Sequence, residues 1–194
     1  MAQTKIIVDT NSYFRLAQNI HPLLCQPFGK EDYTLYMHAD LNAELRNSPR
    51  LQTKFDWAAE SGFRKNRQRS LSLSKVQKKE IEETFDFMWE FVKEEYHGKL
   101  GKGPSYTDTL IVATASVLEI RVVTDDQDMI ALAETYGVHQ ITSLELMQLM
   151  LLEKHLDLDK IEQVVAQWEY DGDAPYRDWK AEYERLFDRA PPKG

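Results

Sequence analysis

The chain alternates short apolar runs with longer segments whose apolar residues recur every three or four positions. Lys5 to Val8, KIIV, is short, β-branched and unalternating, the pattern of a strand covered on both faces of a parallel sheet. Behind it Tyr13, Leu16, Ala17 and Ile20 keep helical spacing up to a stop at His21-Pro22. A second unit is less clean, with Thr34 to Met37 as strand and a helix from about Asp40. SYTDTLIVATASVLEI predicts a buried helix of small and apolar residues. RVVTDD predicts a strand, Arg121 to Thr124, that runs into acids, and Gln127 to Tyr136 predicts another helix. VHQI is a further short strand, and Thr142 with Glu145 makes a capping box for SLELMQLMLLEK. Strands alternating with helices predict an α/β fold whose parallel sheet carries helices on both faces.

Between the second and third units, about residues 50–104, no strand pattern is found. Ile81, Phe85, Met88, Val92 and Tyr96 mark one face of a helix there, so the segment reads as a helical insertion. It contains the one dense basic cluster, FRKNRQR, in which Arg64, Lys65, Arg67 and Arg69 are candidates to contact nucleic-acid phosphate. A solvated helix face explains the same residues. The division expected is a domain over 1–153 interrupted by this insertion, and a C-terminal helical extension over 154–194. In the extension Leu158, Ile161, Val164, Val165 and Trp168 form one stripe and Tyr176, Trp179, Tyr183, Leu186 and Phe187 another. The spacing of Trp168, Trp179 and Tyr183 predicts packing against the domain, or against a second copy in a homodimer, rather than stacking on bases. Asp171 and Asp173 imitate a calcium loop, but its sixth position is Tyr176 instead of Gly, and Asp173 with Pro175 reads better as a helix start. His97 reads as a linker residue and not a ligand.

The net charge of −8 disfavours a generally basic coat for nucleic acid or membrane, so any phosphate contact is local or metal-mediated. A single cysteine, Cys25, makes no internal disulfide. The start MAQTKIIVDT lacks the features of a signal peptide, and no apolar run approaches the ~18 residues of a membrane span. The expectation is a cytoplasmic, soluble protein with no membrane partner.

In a parallel α/β sheet the ligand site lies beyond the carboxyl ends of the strands, near the reversal of strand order. Asp9 closes the first strand, and Asp125, Asp126 and Asp128 follow the third. Asp108 stands in the first turn of the helix before that strand, and Glu44 on the helix after the second. Converging carboxylates repel one another unless a cation shares the site, and a hard ion such as Mg²⁺ or Mn²⁺ suits oxygen ligands and phosphate. Such an ion activates water and neutralises charge on a phosphoryl group. Each acid also has a plainer role open to it: Asp9 and Asp126 as helix caps, Ser105 with Asp108 as a capping box, Asp128 at the positive end of a helix, Glu44 as surface carboxylate.

Laid side by side, IIVDTN, AEL around Glu44, SYTDTLIVATA and VVTDDQDM with LAETYGVHQITSLEL resemble the PIN-domain family of metal-dependent ribonucleases, which includes toxins of bacterial toxin-antitoxin pairs. The match covers roughly the first 49 residues and about 104–152. The resemblance implies a three-layer α/β/α sandwich around a parallel sheet and an endoribonuclease acting on RNA with one or two Mg²⁺ or Mn²⁺ ions. It makes Asp9, Glu44, Asp108 and Asp126 the metal-binding acids, with Asp128 as a further ligand, Asn11, Ser105 and Thr124 in support, and Asp125 at a variable position. A toxin role would require an antitoxin or other protein partner encoded separately, and the insertion exceeds what a compact PIN toxin carries. A non-catalytic PIN-like module that binds RNA or protein is the alternative. A phosphatase of the haloacid-dehalogenase type is weakened by Asn11, which stands where that chemistry needs a second aspartate.

Overall fold

In the computed structural model, which describes residues 3–38, 48–69, 71–176 and 178–192, β1 (Lys5–Val8), β2 (Thr34–Tyr36), β3 (Arg121–Val123) and β4 (Gln140–Ile141) form one parallel sheet. Its order is β2-β1-β3-β4, so the direction of strand addition reverses between β1 and β3. The register sets Ile6 beside Leu35 on one side, and Val8 beside Val123 on the other, with Val123 beside Ile141. Ile6, Ile7 and Val8 are all fully buried, which explains the unalternating run: both faces are covered and only Lys5, at the start of the strand, reaches water.

The flanking helices are α1 (Thr10–Ala17), α2 (Pro49–Lys54), α3 (Ser61–Arg67), α4 (Lys75–Phe91), α5 (Tyr106–Leu118), α6 (Gln127–Thr135), α7 (Ser143–Leu152), α8 (Leu158–Asp171) and α9 (Trp179–Phe187). Helices α4, α5 and α6 pack in series, while α1 packs on α8 and α7 on α9. The result is the α/β/α layering expected of a PIN-like fold. The capping box of Thr142 and Glu145 at the start of α7 forms as predicted. The helix expected from Asp40, together with Glu44, lies outside the described residues. No helix among the described residues is long and apolar enough to cross a membrane.

The insertion shares the central core. Ile81, Phe85, Met88 and Val92 are buried, Tyr96 is half-buried, and Phe55 stacks on Phe14 of α1 with ring centroids 4.3 Å apart. The basic cluster in α3 divides. Arg64, Lys65 and Arg69 are exposed, but Arg67 is buried and does not belong to a phosphate-binding surface. Its guanidinium donates to the Ala58 carbonyl at 2.6 Å and to the Tyr13 hydroxyl at 3.3 Å, while Asn66 beside it bonds the backbone of Leu24 in both directions. Planar donors on a long apolar stem let an arginine satisfy buried carbonyls where a lysine would not.

The extension is built into the same core. Trp168 is buried, donates its indole N–H to the Arg15 carbonyl at 2.9 Å, and meets Trp179 edge-on at 6.1 Å. Tyr183 is buried as well, so these aromatics are packing residues. The expected helix start at Asp173 and Pro175 is not found: α9 begins at Trp179. Asp173 is instead committed elsewhere, its carboxylate to Lys54 at 2.7 Å and its carbonyl to Arg15.

Trp168→Ala removes a buried indole and the hydrogen bond to Arg15, and is expected to lower stability by about 3–5 kcal/mol. Urea unfolding followed by circular dichroism measures this; a loss below about 1 kcal/mol would make the extension peripheral.

Candidate functional site

The reversal of strand order between β1 and β3 brings the acids after those strands side by side. The Asp9 backbone N–H donates to the Val123 carbonyl at 3.0 Å, and Thr124 N–H to Ile141 at 3.0 Å, so the ladder runs on to where the side-chain chemistry begins. Asp9 is the N-cap of α1, and its Oδ1 accepts from Ser12 N–H at 2.6 Å. The Thr124 hydroxyl accepts from Asp126 N–H at 3.1 Å and, on its other side, favours the charged form of Asp9. Thr124 thus stands between the acid after β1 and the acid after β3. Burial, helped by the charge of Asp125, pushes the Asp9 carboxyl up to about 7 against the opposing pull of Thr124, the Ser12 N–H and the charge of Arg15.

The remaining acids come from helix starts. Asp126 is the N-cap of α6, where its Oδ1 accepts from Met129 N–H at 2.9 Å. Asp108 completes a capping box on α5: its Oδ2 accepts from Ser105 N–H at 2.8 Å and its own N–H donates to Ser105 Oγ at 3.2 Å. Burial raises the Asp108 carboxyl above its ordinary value, and the charges of Asp126 and Asp128 raise it further, so these three acids feel one another. Capping and ligand roles are compatible, because each of these caps occupies one oxygen of a two-oxygen group.

A cavity of about 430 Å³ opens beside them, lined by Asn11, Arg15, Lys102, Asp125, Asp126, Asp128 and Tyr176 among others. Asn11 is exposed in the first turn of α1. None of Arg64, Lys65 or Arg69 lines this cavity. Among the described residues, no three acid, histidine or cysteine side chains lie close enough to share one ion. The donor set is nonetheless all carboxylate and hydroxyl, the chemistry of a hard divalent ion that keeps several waters and draws its direct protein ligands from one or two carboxylates.

Asp125 has a structural role that its sequence position does not disclose. It is buried, and its Oδ1 accepts from Ser143 N–H at 2.9 Å. Its Oδ2 accepts from the Ser143 hydroxyl at 2.6 Å, from Ser12 Oγ at 3.4 Å and from Arg15 at 3.1 Å. The signal in the sequence is the doubled acid of TDD after a buried strand. Its partners come from α1 and α7, which no local pattern joins to it.

The pH dependence of stability follows from Asp9. Its pKa is about 7 in the fold against an ordinary 3.8, so folding favours the protonated form, and that stabilisation is present below about pH 4 and lost as pH rises through 7. In chelator, the free energy of unfolding is expected to fall between about pH 4 and pH 7, by up to about 4 kcal/mol from this group, and Asp9→Asn is expected to flatten the fall. Urea titrations at a series of pH values measure both slopes; equal slopes would return Asp9 to an ordinary carboxylate.

Neither a protein-family model nor a curated protein matches the chain. Among solved structures it is similar to the crystal structure of FitAcB from Neisseria gonorrhoeae, at 18% identity and a TM-score of 0.45, over 71% of this chain and 97% of that one.

Proposed function

We propose that this chain is a divalent-metal-dependent endoribonuclease whose site is built on Asp9, Asp108 and Asp126, with Glu44 and Asp128 as further acids. What supports the reading is the gathering of acids at the strand reversal: a buried Asp9, whose pKa is near 7, and Asp126 stand on either side of Thr124, and Asp126 acts on Asp108. Acids gathered where their charges oppose one another lower the stability of the fold, and a ligand cation relieves that. A bound Mg²⁺ or Mn²⁺ would supply an activated water and neutralise charge on the phosphoryl group.

The chain's own groups do the positioning. Ser12 N–H holds Asp9 in one orientation, and Ser105 and Met129 N–H do the same for Asp108 and Asp126. Each carboxylate is thus fixed at the end of a strand or the start of a helix before any cation arrives, which keeps the reorganisation on binding small.

The second reading, a PIN-like module that binds RNA without cutting, is favoured by one observation: the described acids do not close into a three-ligand cluster.

Cleavage of labelled RNA and DNA strands and a phosphomonoester, with Mg²⁺ or Mn²⁺, separates these readings. The wild type is expected to cut RNA. Asp9→Asn should lose more than about 100-fold, and Thr124→Val, which removes the hydroxyl set between Asp9 and Asp126, about 10- to 100-fold. Equal activity in wild type and Asp9→Asn would reject the site. RNA binding without cleavage would establish the module, and turnover of the phosphomonoester alone would establish a phosphatase. Independently of turnover, Mn²⁺ should raise the melting temperature of the wild type near pH 7.5 and leave that of Asp9→Asn unchanged. Equal shifts in differential scanning fluorimetry would place the ion elsewhere.

A further inference from the structure

Two segments outside the repeating strand and helix units contribute to the lining of the cavity at the strand ends. Tyr176 comes from the loop between α8 and α9, and Lys102 from the end of the insertion; both line the cavity with Asn11, Asp126 and Asp128. The loop that carries Tyr176 is held at its base. Gly172, at φ +61°, ends α8 and turns the chain. Arg15 Nε then donates to the Asp173 carbonyl at 3.0 Å, and Lys54 Nζ to its carboxylate at 2.7 Å.

Two properties of this wall have no use within the fold. The Tyr176 hydroxyl oxygen is buried and makes no hydrogen bond to a described residue, a state that costs about 1–3 kcal/mol until a partner answers it. Lys102 is the second. Of the two cations lining the cavity, Arg15 is committed to Asp125 and Asp173, while Lys102 is exposed and forms no ion pair with a described residue. An anion entering beside Asp126 and Asp128 is repelled unless positive charge meets it on the far side. The cavity volume, about 430 Å³, falls in the range of sites that take a small molecule or a single nucleotide unit.

We propose, resting on the nuclease reading above, that Lys102 and Tyr176 form a phosphate subsite for an RNA strand, holding the phosphate next to the one presented to the acids. Lys102 Nζ supplies the charge and the Tyr176 hydroxyl donates one hydrogen bond to a phosphate oxygen. The insertion and the extension thereby act on the substrate through one residue each.

The test uses the full chain, Mn²⁺ and a labelled single-stranded RNA. Lys102→Gln is expected to raise KM about 10-fold with kcat within about twofold. It should also flatten the slope of log binding constant against log salt by about 0.7, and Lys102→Arg should restore both quantities. Tyr176→Phe is expected to raise KM about 5- to 10-fold while its melting temperature holds or rises, because the variant deletes a buried hydroxyl that the fold leaves unanswered. Wild-type KM and salt slope in both Lys102→Gln and Tyr176→Phe, in a protein whose wild type cuts RNA, would overturn the subsite and leave the nuclease reading standing. A wild type that neither cuts nor binds RNA would overturn the nuclease reading and the subsite with it.

Discussion

The buried ion pair between Asp125 and Arg15, at 3.1 Å, is the interaction on which the rest of the site depends. Asp125 stands after β3 and receives donors from Ser12 and Arg15 of α1 and from Ser143 of α7. Arg15 carries the connection onward to Asp173 in the extension, and its carbonyl receives Trp168. One carboxylate therefore sets the distance between two strand ends, two helix starts and the C-terminal helices. Loss of Arg15 would leave the buried Asp125 charge with only the neutral donors of Ser12 and Ser143, a situation more costly than the pair's own net contribution.

Around that pair the fold uses the same carboxylates twice. Asp9, Asp108 and Asp126 each satisfy a backbone N–H at a helix start, which is a local need of any helix. The same placement brings them to the carboxyl ends of the strands at the reversal of strand order, where an α/β sheet binds its ligands. Asp9 shows the tension in this economy. The caps and Arg15 favour its charge, burial and Asp125 oppose it, and burial wins, so the group stays protonated to about neutral pH. A serine, threonine or asparagine would cap α1 without burying a charge, and this is the physical ground for the proposed site.

Much of the scaffold was legible because it is local. KIIV announces a strand covered on both faces, TSLE a capped helix, and SYTD another, since a cap is decided within four residues. The stripe from Ile81 to Val92 was equally plain, because burial of one helix face needs only the spacing. Three residues departed from their local patterns. Arg67 sits in a basic run yet turns inward to carbonyl and tyrosine partners; Asp173 sits in a loop that resembles a helix start yet is taken by Lys54 and Arg15; Asp125 stands at the position read as variable yet is the buried one.

The sequence by itself determined the order of strands and helices, the caps, and the acids that stand after the strands, because hydrophobic periodicity and capping act over a few residues. Only the tertiary structure decided that β1 and β3 are neighbours, that Thr124 stands between Asp9 and Asp126, that Asp125 is a support, and that Lys102 and Tyr176 line one cavity with Asp125, Asp126 and Asp128. Those relations join residues tens to more than a hundred positions apart, and what creates them is the packing of separately legible elements, in which each donor finds its acceptor only after the chain has closed.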